Sequence, residues 1–253
     1  MKKLLLAAAA AIAIGGAGMP ALADHHQARE ALAAAVANPD RPEAQRALDE
    51  ARKPAETLAF AEIGPGSRVV ELVPGGGYFT RIISSAVGPE GHVYALQTAE
   101  IVAAFPQARG GLETLAGQSG NVTAMFDPVA AWTVPAPVDV VFTAQNYHDL
   151  YVDFMGPADV AAVNQAVFNA LRPGGLYVIL DHAAVDGSGQ AAVSTLHRID
   201  RQSVIDEVTA AGFELVGESD ILRNAEDDRS LSVFDDSIRR RTDQFILKFR
   251  KPA

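Results

Sequence analysis

Histidine and aspartate side chains recur at a few places in the second half of the chain, and these residue types are suited to proton transfer. They lie, with neighbouring polar residues, in the segments 146–149, 181–182, 188–189 and 197–200. Histidine changes its charge close to neutral pH, so a positioned imidazole can act as a general base. His148 is the candidate general base, and the adjacent Asp149 is its candidate catalytic partner.

Each of these groups also has a structural interpretation. His148 could bond a backbone carbonyl and hold a loop, whereas Asp181, His182 and His197 are further candidates for contact with a substrate. The segment 197–200 could equally be a helix cap or an internal ion pair. Imidazole and carboxylate suit zinc or iron, and a set made of His148, Asp181, His182 and His197 is chemically conceivable. No pair of them has a spacing typical of metal ligands, so no metal site is predicted.

A glycine-rich turn follows an apolar run at 71–78 (ELVPGGGY). Gly75, Gly76 and Gly77 lack a Cβ and so let the backbone approach a ligand closely. The helix expected after them offers free N–H groups and its positive dipole end. The spacing is not the dinucleotide pattern G-x-G-x-x-G. Glu71, four residues before the glycines, suits a cationic, amino-acid-like ligand, although a plain tight turn fits the glycines equally well.

The elements that must position these side chains alternate along the chain. Short apolar runs rich in β-branched residues predict strands at 67–73, 92–97, 121–126, 138–144, 176–183, 213–219 and 244–250. Amphipathic stretches such as 78–87 and 157–172 predict helices between them, and this alternation is typical of a parallel sheet. No clear helix precedes the run 244–250, so the last strand is expected to be antiparallel. Ligands of such sheets bind at the carboxyl ends of the strands.

The first residues of the chain have the layout of a secretory signal peptide. Lys2 and Lys3 precede an apolar run at 4–19, and small residues at 21–23 precede Asp24. A retained anchor is the alternative, but the run is short against the roughly 20 apolar residues of a spanning helix. Residues 1–23 are therefore predicted to be a cleaved signal peptide, with a periplasmic or secreted mature protein that has no stable membrane anchor.

Residues 24–65 are predicted to form a helical cap in front of the main domain, 66–253. Two helices are expected, at 25–38 and 43–61, since Ala, Glu, Arg and Leu dominate both stretches. Proline residues separate the two stretches, and Pro54 suits the first position of a new helical turn.

Composition narrows the classes of function. The hydrophobic fraction of 49% is ordinary for a globular core. A net charge of −10 argues against nucleic acid as the main partner, and the basic run 239–241 is interpreted as a solvated turn. With no cysteine in the chain, thiolate nucleophiles and thiolate metal sites are excluded. A small-molecule substrate fits these limits best.

The order of elements from 66 to 250 resembles that of class I S-adenosylmethionine (SAM)-dependent methyltransferases. The segments VVELVPGGGYFT, GHVYALQ, LRPGGLYVILD and QFILKFR carry the resemblance. The segments NYHDLY, LHRID, ESDILRN and TDQFILKFRKP, with the RKPAETLAF stretch, resemble more narrowly a bacterial group of exported methyltransferases. The resemblance implies a Rossmann-like three-layer α/β sandwich and SAM as the cofactor.

The resemblance also implies roles for particular residues. Glu71 and the glycines 75–77 would line the methionine part of SAM. Gln97 stands where the family usually has an acid for the ribose hydroxyls, and a neutral amide is a weaker acceptor than a carboxylate. Asp127 matches the position that often contacts the adenine. Val73 stands where many members have a glycine.

Three functions are open at this point. The first is transfer of a methyl group from SAM to an unidentified small molecule. The second is an exported binding protein that has kept this fold and lost catalysis, because SAM is made in the cytoplasm. The third is a different enzyme on the same scaffold, with metal-assisted chemistry as one form of it.

Overall fold

The computed structural model describes residues 19–156 and 158–253. Within these ranges seven strands make one sheet. The strands are β1 (Arg68–Leu72), β2 (His92–Leu96), β3 (Val122–Met125), β4 (Val138–Ala144), β5 (Leu171–His182), β6 (Glu214–Ser219) and β7 (Gln244–Arg250). Their order across the sheet is β3-β2-β1-β4-β5-β7-β6. Each predicted strand is confirmed, and the sheet is the predicted mostly parallel one.

The last strand is antiparallel, as predicted, and it lies between β5 and β6. The residues of β7 are buried along most of its length, whereas burial alternates along β6. A strand that is apolar on both faces suits the interior of the sheet, where helices cover both faces. A strand with alternating burial can leave one face in solvent. This difference explains why β6, and not β7, forms the edge of the sheet.

The helices connect the strands and cover both faces of the sheet. They are α1 (Met19–Ala37), α2 (Glu43–Arg46), α3 (Asp49–Arg52), α4 (Pro54–Phe60), α5 (Tyr78–Val87), α6 (Ala99–Ala104), α7 (Gln107–Gln118), α8 (Val160–Ala170), α9 (Val193–Leu196) and α10 (Arg201–Ala210). Short 3₁₀ turns at His148–Tyr151 and Asp153–Met155 follow β4.

The N-terminal helices differ in detail from the expectation. The stretch 43–61 forms three short helices and not one. A turn at 47–48 separates α2 from α3, and Lys53, with a left-handed φ of 40°, ends α3. Pro54 then occupies the first turn of α4, as predicted. The predicted signal peptide lies outside the described residues except for 19–23, which begin α1. The proposed cleavage point before Asp24 falls within that helix.

Two apolar layers hold the sheet between the helices. On one face Leu32, Leu58 and Ile82, from α1, α4 and α5, are buried against the strands. On the other face Val163 of α8 and Val204 of α10 are buried in the same way. Each such side chain contributes about 1.5–3 kcal/mol by leaving water. The three-layer sandwich therefore follows from the alternation of apolar strands and amphipathic helices.

Two further features of the described chain bear on function. No helix in the ranges 19–156 and 158–253 has the length and apolar character needed to cross a bilayer. The basic run 239–241 is exposed and lies in a turn, which confirms that interpretation.

The strand order reverses between β1 and β4. From β1 the chain proceeds outward through β2 and β3, and then returns to pair β4 with the other side of β1. Helices that leave neighbouring strands in opposite directions open a crevice at the carboxyl ends of those strands. The glycine turn after β1 and the segment 145–151 after β4 border this crevice.

Candidate functional site

Both strands that border the crevice leave the sheet through left-handed residues. Val73 follows β1 with a φ of 55°, and Gln145 follows β4 with a φ of 63°. A β-branched residue rarely adopts such a φ, so the backbone at Val73 has a conformation that favours glycine. The Asn146 Nδ2 donates to the Val73 carbonyl at 3.2 Å. This bond joins the two loops across the mouth of the crevice.

The three glycines of the turn serve different purposes. Gly75 and Gly76 are exposed, and a Cβ built on either would meet no atom within 4 Å. Gly77 is buried with a φ of 73°, and its Cβ would lie 2.2 Å from Leu115 Cδ1. Gly77 is therefore required by the packing of α5 against α7. Gly75 and Gly76 leave an open backbone surface that a ligand can approach.

Glu71 is a buried carboxyl group with an unused oxygen. Its exposed fraction is 4%, and among the described residues its Oε2 has no hydrogen-bond partner. The Thr80 Oγ1 also makes no hydrogen bond of good geometry. Burial raises the pKa of Glu71 to about 7, although the Thr80 hydroxyl and the charge of Arg52 both oppose the shift. A buried polar atom without a partner is costly, so this position suits a polar or cationic ligand group.

Gln97 and Asp127 lie after β2 and β3, as the resemblance implies. Gln97 is 2% exposed, and its Oε1 accepts from the Gly75 N–H at 3.1 Å. This bond fixes the glycine turn to the end of β2. Asp127 is exposed, and its carbonyl accepts from the Ala99 N–H at 3.0 Å. Their predicted contacts with ribose and adenine remain predictions.

His148 is held by Asp181. Its ring Nδ1 lies 2.8 Å from Asp181 Oδ1, and its backbone N–H donates to Asp181 Oδ2 at 2.8 Å. Asp181 Oδ1 also accepts from the His182 N–H at 2.7 Å. Burial would raise the pKa of Asp181, but His148 and His182 hold it below its ordinary value. The carboxylate therefore accepts from Nδ1–H, and a neutral His148 keeps its free electron pair on Nε2.

The Nε2 side of His148 faces two more of the predicted residues. Asp149 Oδ1 lies 3.3 Å from His148 Nε2 and 4.0 Å from His197 Nδ1. The rings of His148 and His197 meet edge to face at 5.5 Å between centroids. His197 adopts a left-handed φ of 53° at the end of α9, and its ring contacts Phe234. The structure thus brings four of the predicted polar residues together in one cluster: His148, Asp149, Asp181 and His197.

The charges of this cluster are coupled. Burial lowers the pKa of His148, but Asp181 and Asp149 outweigh it and raise that pKa above 6.5. Burial raises the pKa of Asp149 to about 6, although His148 opposes the shift. The pKa of His197 falls below its ordinary value through burial and the nearby His148. The protonation states of these groups therefore depend on one another near neutral pH.

His182 is next to the cluster but faces elsewhere. Its Nδ1 lies 2.8 Å from Thr242 Oγ1, and its ring centroid is 6.1 Å from that of His148. Burial lowers the pKa of His182 to about 3, so this imidazole stays neutral. The Thr242 hydroxyl is bonded in turn to Gln244, which accepts from Gln145. His182 thus belongs to a polar chain that supports the β4 loop.

The remaining polar residues of the predicted segments are structural. Asp200 caps α10 by accepting from the Gln202 N–H. Arg198 is fully buried and forms an ion pair with Asp227, in which its Nη2 donates to both carboxylate oxygens. Of the segment 188–189, Ser188 has a buried hydroxyl without a partner among the described residues. The cap and ion-pair interpretations of 197–200 are both correct, while His197 alone joins the cluster.

Two residues at the site were not predicted from the sequence. Arg52 of α3 lies over the Tyr78 ring at 4.5 Å and donates to Gln145 Oε1 at 3.3 Å. Its charge also acts on Glu71. Phe234, from the long segment before β7, covers His197. An arginine in a helical cap and a phenylalanine in a turn-rich segment carry no spacing signal that would have identified them.

Comparison with known proteins supports the fold. No family model matches the chain. A protein-L-isoaspartate O-methyltransferase from Ignicoccus hospitalis is 30% identical over 120 residues, which are 47% of this chain and 49% of the relative. The match thus spans about half the length of that curated relative.

Solved structures match over most of the chain. A SAM-dependent methyltransferase from Aquifex aeolicus superposes with a TM-score of 0.55 at 16% identity, over 81% of this chain and 98% of the other. The N-methyltransferase NodS from Bradyrhizobium japonicum WM9, solved with S-adenosyl-L-homocysteine, gives 0.55 at 16% identity, over 90% and 100%. Fibrillarin from Aeropyrum pernix, solved with natively bound SAM, gives 0.52 at 16%, over 80% and 76%. Taken with the strand order and the glycine turn after β1, these matches show that the chain has the fold of class I SAM-dependent methyltransferases.

Proposed function

We propose that this protein binds SAM in the crevice between β1 and β4 and transfers its methyl group to a small molecule. The observation that carries the proposal is the buried Oε2 of Glu71, which has no hydrogen-bond partner among the described residues, at the end of the strand that the open backbone of Gly75 and Gly76 follows. An amino-acid ammonium group would satisfy that oxygen. The solved neighbours with bound SAM or S-adenosylhomocysteine have the same fold and support this assignment.

The residues of the crevice fit SAM. Glu71 would hold the ammonium group, and the exposed backbone at Gly75 and Gly76 would lie along the methionine part. Gln97 would offer its remaining hydrogen-bonding capacity to the ribose, and Asp127 would contact the adenine. SAM, when bound, supplies an electrophilic methyl group on its sulfonium sulfur.

The second part of the proposal concerns the acceptor. His148 and Asp149 are the proposed catalytic residues, and Asp181 is a positioning residue that leaves the electron pair of His148 on Nε2. That electron pair can take a proton from an oxygen or nitrogen acceptor as the acceptor is methylated. A positioned base contributes about 10²–10⁴-fold to a rate.

Acceptor-dependent formation of S-adenosylhomocysteine tests the proposed activity. The protein is incubated with methyl-labelled SAM and fractionated small-molecule extract, and label transfer is followed by mass spectrometry. Transfer that requires both the protein and one fraction supports the proposal. Label that stays on SAM across all fractions, with a protein that binds SAM, would contradict the catalytic part.

A second function has one specific observation in its favour. His148 is only 3% exposed, so an acceptor must displace neighbouring groups before it can reach Nε2. A binding protein that holds SAM or another nucleoside-like ligand without turnover has no such requirement. Saturable ligand binding without label transfer is the outcome that this alternative expects.

The proposed place of action is outside the cytoplasm. The support is the layout of residues 1–23, with Lys2 and Lys3 before an apolar run and small residues before Asp24. The mature protein would then begin at Asp24 and depend on ligand that reaches the periplasm or the medium.

A further inference from the structure

Three potential ligand atoms converge beside the crevice from two separate parts of the chain. His148 and Asp149 lie in the 3₁₀ turn after β4, and His197 follows α9. One nitrogen from each histidine and one oxygen from Asp149 all lie within 4.8 Å of one another. Two imidazoles and one carboxylate form a set that binds divalent iron, zinc and related metals.

The hydrogen bonding around His148 prepares it as a ligand. Asp181 accepts from the Nδ1 side of the ring, so the electron pair on Nε2 is directed toward Asp149 Oδ1 at 3.3 Å. Metal-binding histidines commonly donate their other ring N–H to a carboxylate, which fixes the tautomer and the orientation of the ring. The bond from His148 Nδ1 to Asp181 would also orient a general base, but a general base would not need His197 nearby.

The charge of the cluster also favours a cation. Asp149 and Asp181 both face His148, and their side chains are 13% and 0% exposed. In the part of the chain that the structure describes, only histidines form ion pairs with either carboxylate. Two largely buried carboxylates whose ion-pair partners are histidines carry net negative charge when those imidazoles are neutral, as they are in a metal ligand, and a divalent ion would balance it.

We propose that His148 Nε2, His197 Nδ1 and Asp149 bind one divalent transition-metal ion, with Asp181 supporting His148. In a tetrahedral site with bonds of about 2.0–2.1 Å the ligand atoms lie about 3.3 Å apart. The pair His148–Asp149 already has that separation. His197 lies 4.0 Å from Asp149 and within 4.8 Å of the His148 nitrogen, so its ring has to move by up to about 1.5 Å to reach that separation from both. The two nitrogens disfavour Mg²⁺ and Ca²⁺, which prefer oxygen ligands.

The metal site does not depend on methyl transfer, and only its use rests on the proposed function. A bound cation lowers the pKa of a hydroxyl ligand, so an acceptor hydroxyl on the metal would lose its proton to water. The acceptor oxygen would then form a bond to the methyl group as the methyl–sulfur bond of SAM breaks and S-adenosylhomocysteine leaves. His148 would then act as a ligand and not as the proton acceptor.

Calorimetric titration with Zn²⁺ tests the site in full-length protein from which metal has been removed by a chelator. His25 and His26 are replaced by alanine throughout, so that the N-terminal pair cannot contribute. We expect one equivalent of Zn²⁺ with a dissociation constant at or below about 1 μM. His197→Ala should weaken binding at least about tenfold, and Asp181→Asn by about 10–100-fold.

A control variant makes the test specific. His92→Gln removes a histidine from the opposite end of the sheet, where His92 pairs with Thr123, and should leave Zn²⁺ binding unchanged. A folded protein, checked by circular dichroism, that binds less than about a tenth of an equivalent overturns the proposal. So does Zn²⁺ affinity that His197→Ala leaves unchanged. SAM titrated into the same sample separates this failure from a failure of the proposed function.

Discussion

The ionisation of Glu71 should make the affinity for SAM depend on pH. In the free protein burial raises the pKa of Glu71 to about 7, so the carboxyl is largely protonated at pH 6 and largely ionised at pH 8. Only the ionised form can pair with an ammonium group. With a pKa of 7, the ionised fraction rises from about 0.09 at pH 6 to about 0.91 at pH 8. The affinity for SAM should therefore rise about tenfold over that interval.

The assay is a calorimetric titration with SAM at several pH values, repeated in two buffers with different heats of ionisation. At pH 6 the binding of SAM should release nearly one proton from Glu71. In Glu71→Gln the amide carries no charge, so the pH dependence should shrink to less than about twofold. An affinity of the wild type that is flat from pH 6 to pH 8 would refute the assignment of Glu71 to the ammonium group.

The free protein gives an independent check on the same pKa. The folded-state pKa of Glu71 lies above its ordinary value of 4.5, so the folded state binds more protons than the unfolded state between these values. The contribution of Glu71 to the free energy of unfolding then decreases as pH rises from 4.5 to 7. The amide in Glu71→Gln does not ionise, so this variant keeps that stability. Its free energy of unfolding should exceed that of the wild type above pH 7 by about 3 kcal/mol. Urea denaturation at pH 4.5 and pH 8 measures the difference, and equal stabilities at pH 8 would contradict it.

Four further outcomes are expected. Gly76→Val should lower SAM affinity at least about tenfold, or roughly 1.4 kcal/mol, with an unchanged melting temperature, because its Cβ meets no atom in the free protein; calorimetry and thermal denaturation check this. His148→Asn should lower turnover by about 10²–10⁴-fold with near-normal SAM binding, and equal turnover at saturating SAM would assign His148 a structural role only. Arg198→Ala should cost about 3–5 kcal/mol in urea denaturation, because it leaves Asp227 buried without its partner; a loss below about 1 kcal/mol would contradict the importance of that pair. The intact mass of native protein should correspond to a chain that begins at Asp24, whereas a full-length species held in membranes would contradict export.

The sheet was predictable because its signals are local. Each strand is a short β-branched run, and each lies between stretches with helical periodicity or glycine-rich turns. The glycine turn before Tyr78 marks the first crossover without any knowledge of the rest of the chain. The antiparallel direction of β7 followed from the missing crossover helix before it. The position of β7 between β5 and β6 was not predicted from the sequence. It goes with the burial of β7 along most of its length, whereas burial alternates along β6.

The composition of the histidine cluster could be predicted only in part. The topology of a parallel sheet brings segments 146–149 and 181–182 to one edge, so His148 and Asp181 were expected to be near each other. The direction of a side chain within a loop depends on backbone angles such as the left-handed φ of His197, and these have no periodic signature. The sequence therefore suggested His182 and His197 equally, and the structure turns one toward Thr242 and the other toward Asp149.

The N-terminal cap shows the same limit. Its helices were evident from composition, but the left-handed Lys53 that breaks them and the placement of Arg52 near Glu71 depend on tertiary contacts. Arg52 thus became part of the crevice through packing on Tyr78. The charge of Arg52 lowers the pKa of Glu71. The sequence pattern alone predicted only that Arg52 lies in a helix.

Calorimetric titration of the purified protein with SAM, beside Gly76→Val, tests the central claim most directly. We expect the wild type to bind one equivalent of SAM at pH 8, and the variant to bind it with an affinity at least about tenfold lower. Absence of saturable SAM binding by the folded wild type, or equal affinities in the two proteins, would contradict the placement of SAM in the crevice between β1 and β4.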